Sequence, residues 1–267
     1  MKTTRSVGHL SLWALALTAG FVIASCGDDG AATAPPEPTG DQTGTDQPVI
    51  DPGDGGNYQP EIDPAAFVDT IDNPYLPFAS GNRWLYEEIN ADGETERIEV
   101  VVTNERKQVM GIAATVVHDT VMVDGQLIED TRDWYAQDQE GNVWYLGEDV
   151  DNYEDGELVD HDGSFEAGVD GALPGIVMLA DPAVGDAYRQ EFYEGEAEDM
   201  GEVVRLGESV SVPFGDFTDV LVTRDWNPLE PDIVEEKYYA PGVGVVQEQK
   251  VAGEEGRGVL IEATLSS

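Results

Sequence analysis

Cationic residues are scarce in this chain. It carries 13 Lys plus Arg against 55 Asp plus Glu in 267 residues, a formal net charge of −42. That shortage excludes sequence-independent binding to nucleic acid, which needs Lys and Arg to neutralise phosphates. It also argues against electrostatic docking onto anionic lipid. Cysteine is almost missing: Cys26 stands alone, so a disulfide scaffold is excluded. Only two histidines, His118 and His161, lie beyond the N-terminal segment. Long helical periodicity is absent, and so are long apolar runs, except for 10–23, which is too short and too early for an ordinary membrane span. What is present is 40% hydrophobic residues, enough for a buried core.

Lys2 and Arg5 precede the apolar run, as in the positive and hydrophobic regions of a secretory signal. The run ends in Ile23-Ala24-Ser25-Cys26, four residues that resemble the lipobox of bacterial lipoproteins. The resemblance implies cleavage between Ser25 and Cys26 and acylation of the Cys26 thiol, palmitate being among the chains. Each acyl CH2 buried in lipid contributes about 0.8 kcal/mol, so two or three chains anchor stably. Gly27 follows the cysteine where an Asp typically retains a lipoprotein in the inner membrane. By the same resemblance the expected address is extracytoplasmic, the outer membrane in a Gram-negative cell. Loss of residues 1–25 removes two bases and no acid, leaving 55 acids against 11 bases, a charge of −44.

Residues 26–60 hold seven acids, many Pro and Gly, and almost no large apolar side chain. Such a segment cannot bury enough surface to offset its ordering entropy, and is expected to be a disordered, extended tether reaching about 30–60 Å.

Residues 61–267 are expected to form a single all-β domain. Asp63-Pro64 supplies an N-cap and a first-turn proline, predicting a short N-terminal helix within 60–72. Beyond it the period becomes two. Strands are predicted at 83–86, 97–103, 113–123, 127–136 and 142–147, then at 187–193, 202–206, 209–213, 219–225, 233–239, 244–251 and 258–265. Asp92-Gly93, Asp124-Gly125 and Glu140-Gly141-Asn142 punctuate the first set as tight turns. An offset of 104 residues aligns Gly81 with Gly185, Trp84 with Tyr188, Tyr135 with Tyr239 and Ala136 with Ala240. The pattern predicts antiparallel meanders, duplicated as half-repeats 81–148 and 185–251 and forming a curved sheet or barrel. The halves are joined by an acidic stretch, 149–184. Fifteen acids and no base lie between Asp133 and Tyr188, and 163–180 reads as a long ordered loop fastened by Ile176, Val177, Met178 and Leu179.

Chemistry-bearing patterns are few. Asp151, Asp155, Gly156 and Asp162 fall at positions 1, 5, 6 and 12 of an EF-hand-like loop, but Tyr153 holds position 3 and strands flank it. No specific metal site and no cofactor are expected. Alternation puts His118 on one face of its strand with Val116 and Thr120, and Asp119 on the other. His161 sits among carboxylates with no nucleophile near it in sequence. Neither GxSxG nor HExxH is present. Glu87-Glu88 and Glu235-Glu236 are sequence neighbours and so face opposite ways. A glycosidase-type carboxylate pair would have to come from distant strands, and no catalytic residue is assigned. The acidic run 195–201 reads as a hairpin loop, or as a contact for a basic or metal-bearing partner. Tyr75, Phe78, Trp84 and Tyr86 are chiefly core, while Trp134-Tyr135 and Trp144-Tyr145 put one ring on each sheet face, a place for an apolar small molecule.

The run Asp72-Asn73-Pro74-Tyr75-Leu76-Pro77-Phe78, with Gly81-Asn82-Arg83-Trp84-Leu85-Tyr86-Glu87, resembles the start of an uncharacterised family of bacterial secreted β-proteins and lipoproteins. So does Asp133-Trp134-Tyr135-Ala136-Gln137-Asp138 with Gly141-Asn142-Val143-Trp144-Tyr145. The resemblance implies location and fold class and brings no established activity. The expectation is a lipid-anchored, non-enzymatic binding or envelope-associated protein that touches membrane only through its anchor. Its partner would be an apolar small molecule or a basic protein. The alternatives are a calcium-dependent surface or adhesion module using 148–170, and a carboxylate-based hydrolase.

Overall fold

The computed structural model describes residues 57–89, 93–253 and 256–266. Residues 1–56, which include the expected signal segment, Cys26 and most of the expected tether, and Asp92 of the first expected turn lie outside the described residues. The short helix expected near Asp63 is one 3₁₀ turn, Pro64–Ala66, in which the Asp63 carboxylate accepts from the Ala65 N–H at 3.0 Å. The turn leads directly into strand β1 (Phe67–Val68), whose extended backbone ends it.

The first meander is β2 (Arg83–Ile89), β3 (Thr95–Val109), β4 (Ile112–Val123), β5 (Gln126–Asp138) and β6 (Val143–Glu154). β7 (Glu157–Asp160) folds back on the end of β6. β8 (Phe165–Glu166) and β9 (Leu173–Met178) follow, so 163–180 is not the long loop its glycines suggested; both strands pair with β6. Gly175 permits this: a Cβ there would collide with the Gln190 backbone, which crosses directly over it. The second meander is β10 (Ala187–Arg189), β11 (Glu191–Phe192), β12 (Met200–Val212), β13 (Gly215–Trp226), β14 (Val234–Ala240), β15 (Gly244–Ala252) and β16 (Arg257–Thr264). The two strands expected at 202–206 and 209–213 are one continuous β12. Register shifts and positive-φ Gly207 break its alternation, which made it read as two.

All pairings are antiparallel, in the order β10-β12-β13-β14-β15-β16-β2-β3-β4-β5-β6-β9-β11. β10 and β11 are successive parts of one run of chain, one paired to β12 and the other to β9. That run joins the two ends of the sheet and brings it close to closure as a barrel, which removes most exposed edge. Hairpins at Met110-Gly111, Asp124-Gly125 and Asp155-Gly156 have left-handed φ at both central residues, the geometry that matches strand twist.

The meanders open alike. The Gly81 and Gly185 N–H groups donate to the Val102 and Val203 carbonyls, each at 2.8 Å, and the Val102 and Val203 N–H groups donate back to Asn82 and Asp186, each at 2.9 Å.

The main core lies inside the barrel, around Trp84, Tyr86, Val102, Tyr145, Leu221 and Val246. Ile71, Leu76 and Phe78 join it from the N-terminal segment, which closes one end. The Asp72 and Asn73 N–H groups donate to Gln137 Oε1, and Gly242 N–H to the Pro74 carbonyl. A second cluster lies outside the wall, where Ile62 and Phe67 cover Val109, Ile112, Trp134 and Leu146. The shift in register between Val102 and Arg106 explains why one strand feeds both cores: it turns the residues beyond it to the other face.

Candidate functional site

The inward faces share one gradient. β2 presents Trp84, Tyr86 and then Glu88; β5 presents Tyr135, Asp133, Thr131 and Glu129; β14 presents Tyr239, Lys237 and Glu235. β13 runs from Leu221 through Thr223 to Asp225, and β15 from Val246 to Glu248. Because neighbouring strands are antiparallel, the apolar ends all meet at the end closed by Phe78. Phe78 lies 5.0 Å from Tyr135, which stacks on Tyr145 at 4.8 Å. Carboxylates line the barrel beyond this aromatic floor.

Burial is nearly complete: Asp119 is 1% exposed and Glu191 0%. Neither carboxylate has a hydrogen-bond partner at either oxygen. Asp133 accepts from the Tyr145 hydroxyl at 2.7 Å, and Glu148 faces it directly across β5 and β6. Arg83, Arg97 and Arg132 lie on the outer face and pair there with Glu99, Glu87 and Asp130. Lys107 lies outside over Trp134. Two interior lysines stand against buried acids. Lys237 Nζ lies 3.1 Å from Asp225 Oδ2 in the interior, and Lys250 lies 3.8 Å from Glu88.

Charge crowded into a dry interior is costly, and protonation is the first relief. Burial, then the neighbouring Glu88 charge, pushes Glu96 up to about 8. Burial likewise pushes Asp133 up to about 7, with the Tyr145 hydrogen bond opposing it. Asp119, Glu148 and Glu191 rise well above the usual carboxylate range through burial and then through each other's neighbourhood of acids. At Lys237 burial opposes the charge, but Asp225, Glu248 and Glu235 outweigh it and hold the ammonium protonated.

The sequence-predicted sites fare unevenly. Asp151, Asp155, Gly156 and Asp162 do not converge: Asp155-Gly156 forms the β6–β7 turn, and Asp151 sits 2.9 Å from His161 Nδ1. The His161 ring is also held at 2.9 Å by the Val150 carbonyl, which with Asp151 raises its pKa. Among the described residues no three His, Cys, Asp or Glu side chains come together as a metal would require. His118 is on the outer face beside Asp130, at 3.0 Å. In 195–201 the Glu198 carboxylate folds back onto the Gly195 N–H, and Asp199 is buried. The paired aromatics split as expected, Tyr135 and Tyr145 inward, Trp134 and Trp144 under the outer cluster. Glu87 and Glu236 face outward to Arg97 and Arg205, while Glu88 and Glu235 point inward.

The interior carboxylates themselves were missed. Their signal is an acid at an alternation position otherwise held by Val, Ile or Tyr, as at Asp119 between Val117 and Val121.

No family model and no curated protein matches the chain. Among solved structures, the chain is similar to a protein from Bacteroides fragilis described as exported, with a YmcC-like fold. Identity there is 16%, over 71% of this chain and 98% of that one, at a TM-score of 0.41. It is similar to a protein from Parabacteroides distasonis described as a lipoprotein, with 13% identity over 74% and 100% of the two chains and a TM-score of 0.40. A β-barrel-like protein of a domain of unknown function, DUF1849, from Brucella abortus gives 14% identity over 70% and 98%, also at 0.40.

Proposed function

We propose that this protein is a lipid-anchored, extracytoplasmic, non-enzymatic binding barrel whose interior receives a small molecule. The observation that carries the reading is the inward gradient, an aromatic floor below buried carboxylates of which Asp119 and Glu191 have no partner. Unpaired buried charge costs stability unless something answers it, and residues that only filled a core would be apolar. The anchor half of the reading rests on Ile23-Ala24-Ser25-Cys26.

Native mass spectrometry of the full chain, extracted in mild detergent from its own membranes, tests the binding half. A mass excess over the acylated polypeptide that vanishes on denaturation is expected; its absence across preparations, with no ligand accepted in titration, would refute it. Cys26→Ala is expected to move the protein from the membrane to the soluble fraction, and a variant still sedimenting with membrane would refute the anchor.

A further inference from the structure

We infer that the distal part of the β12–β13 hairpin, residues 208–219, is a hinged flap. It closes a seam in the barrel wall between β15 and β16, and it opens as a unit about Gly207 and Asp219. The inference stands whether or not the interior takes the small molecule proposed above.

The seam is a gap in the ladder. β15 and β16 pair only through Gln247, Glu248 and Gln249 with Val259, Gly258 and Arg257. Toward the aromatic floor the two strands part. β15 keeps Gly244 and Val245 paired to β14, β16 keeps Leu260 and Ala263 paired to β2, and no ladder joins them. Side chains and the flap answer the backbone there instead. Trp84 Nε1 donates to the Val243 carbonyl at 2.7 Å, and the Tyr86 hydroxyl to the Val245 carbonyl at 2.9 Å. The Phe214 N–H, at the tip of the flap, donates to the Leu260 carbonyl at 3.2 Å.

The flap is a ribbon with two faces. β14 pairs with β13 only from Leu221 onward, and β10 with β12 only up to Glu202. Among the described residues, 208–220 therefore have no strand beside them except each other. Val210, Val212 and Phe217 lie half-buried on the main core, while Ser209, Ser211, Asp216 and Thr218 are exposed. Alternation thus seats one side of the ribbon on the barrel and leaves the other in water. The hold is slight beside that on residues 222–226 of β13, which have a strand on each side.

Both strands bend at one level. Register shifts run from Val203 to Val210 in β12, and Glu208 pairs with Val220. Next to that pair stand Gly207 and Asp219, with φ of 74° and 57°. The other non-glycine residues with left-handed φ among those described, Met110, Asp124, Asp155 and Asp170, lie in connections between strands. Asp219 alone is inside one. A Cβ on Gly207 would meet nothing within 4 Å, so backbone conformation is what asks for glycine there. Irregular backbone at the same height on both strands lets a ribbon swing as a body while its own ladder stays intact.

Amide hydrogen exchange of the full chain, read by mass spectrometry, tests the flap. The amides of 208–219 are expected to exchange together, at least a hundredfold faster than those of 222–226. Equal protection in the two stretches overturns the inference. So does protection that fades gradually toward Pro213 and Phe214 with no step at Gly207 and Asp219, which is fraying. The seam is read by thiol labelling in a Cys26→Ala background. Leu260→Cys is expected to react through flap opening, at least a hundredfold faster than through global unfolding of the same variant. Val117→Cys on β4 should react only with global unfolding. Labelling of Leu260→Cys that tracks global unfolding overturns the seam. Val212→Asp sets a charge under the flap, and is expected to raise both the 208–219 exchange rate and the Leu260→Cys labelling rate about tenfold. With both rates unchanged the flap does not rest on that face, and the inference falls. If Leu260→Cys fails to fold, exchange in Val212→Asp decides alone.

Discussion

The strands β4–β6 and the strands β13–β15 handle buried acid differently. In the second, Lys237 sits among Asp225, Glu235 and Glu248, and the four groups form a local charge cluster within the wall. In the first, no cation stands among Asp119, Asp133 and Glu148 in the described residues, and hydroxyls such as that of Tyr145 provide what relief there is. If the halves descend from one repeat, as the 104-residue offset suggests, the exchange of Asp133 for Lys237 separates a wall that holds an ammonium among its acids from one that does not. The lesson is that acidity here is two things at once: an outer coat that is solvated, and an inner wall whose ionisation is suppressed.

The largest effect should come from breaking the self-sufficient wall. Lys237→Met leaves three buried carboxylates without their ammonium, and is expected to cost about 3–5 kcal/mol at pH 8, measured by urea unfolding. The loss should shrink at pH 5, where the carboxylates take up protons in place of the lost partner. An equal loss at both pH values would mean that packing of the lysine stem, not charge, supports this wall.

Next is the pH dependence of the unmodified protein. Glu96 at about 8 and Asp133 at about 7 bind protons more tightly folded than unfolded. Between the ordinary carboxylate range and those values the native state holds more protons than the unfolded chain. Stability is thus fully present below about pH 4, falls as pH rises, and that contribution is gone above about pH 8. Each such group contributes up to about 1.4 kcal/mol per pH unit inside its window. A melting temperature that falls from pH 5 to pH 8 is expected, with Glu96→Gln flattening the slope. A rise over that interval would show that the first wall is ionised and stabilised in some other way.

A milder change sharpens the contrast from the other side. Asp119→Val continues the Val117–Val121 face and removes a carboxylate that has no partner, so a gain of about 1–2 kcal/mol is expected at pH 8. Asp225→Val, the same chemical change in the other wall, should instead destabilise, because it leaves Lys237 short of its nearest anion. Parallel urea titrations of the two variants decide it; the same sign in both would dissolve the distinction between the walls.

Much of this architecture was legible because antiparallel strands write alternation directly into sequence. The β4–β5 hairpin was read from its Val, Ile and Thr runs and the Asp124-Gly125 turn, while β3 was read only over 97–103 and its Met110-Gly111 turn was not. What hid was non-local. The strands β8 and β9 are short and glycine-bearing, and exist because β6 and the crossing at Gln190 hold them. The interior site hid for a different reason. Alternation put Asp119 on the face of Val117 and Val121, opposite His118 and Thr120, but an acid on a strand reads as solvent-facing, so that face was not read as enclosed. Closure of the barrel shows that face, and Asp119 on it, to be enclosed.

The smallest expected effect is on the outer coat, and it guards the comparison against a trivial reading. Arg97 Nη2 lies 3.2 Å from Glu87 on the outer face, with both side chains over a third exposed. Water and salt screen such a pair, and Arg97→Ala should change stability by no more than about 0.5 kcal/mol. If this variant, read in the same urea titration, lost as much as Lys237→Met, the net acidity of the whole protein would be responsible. A near-silent Arg97→Ala beside a severe Lys237→Met would instead locate the effect in the wall, where no solvent reaches to replace the missing charge.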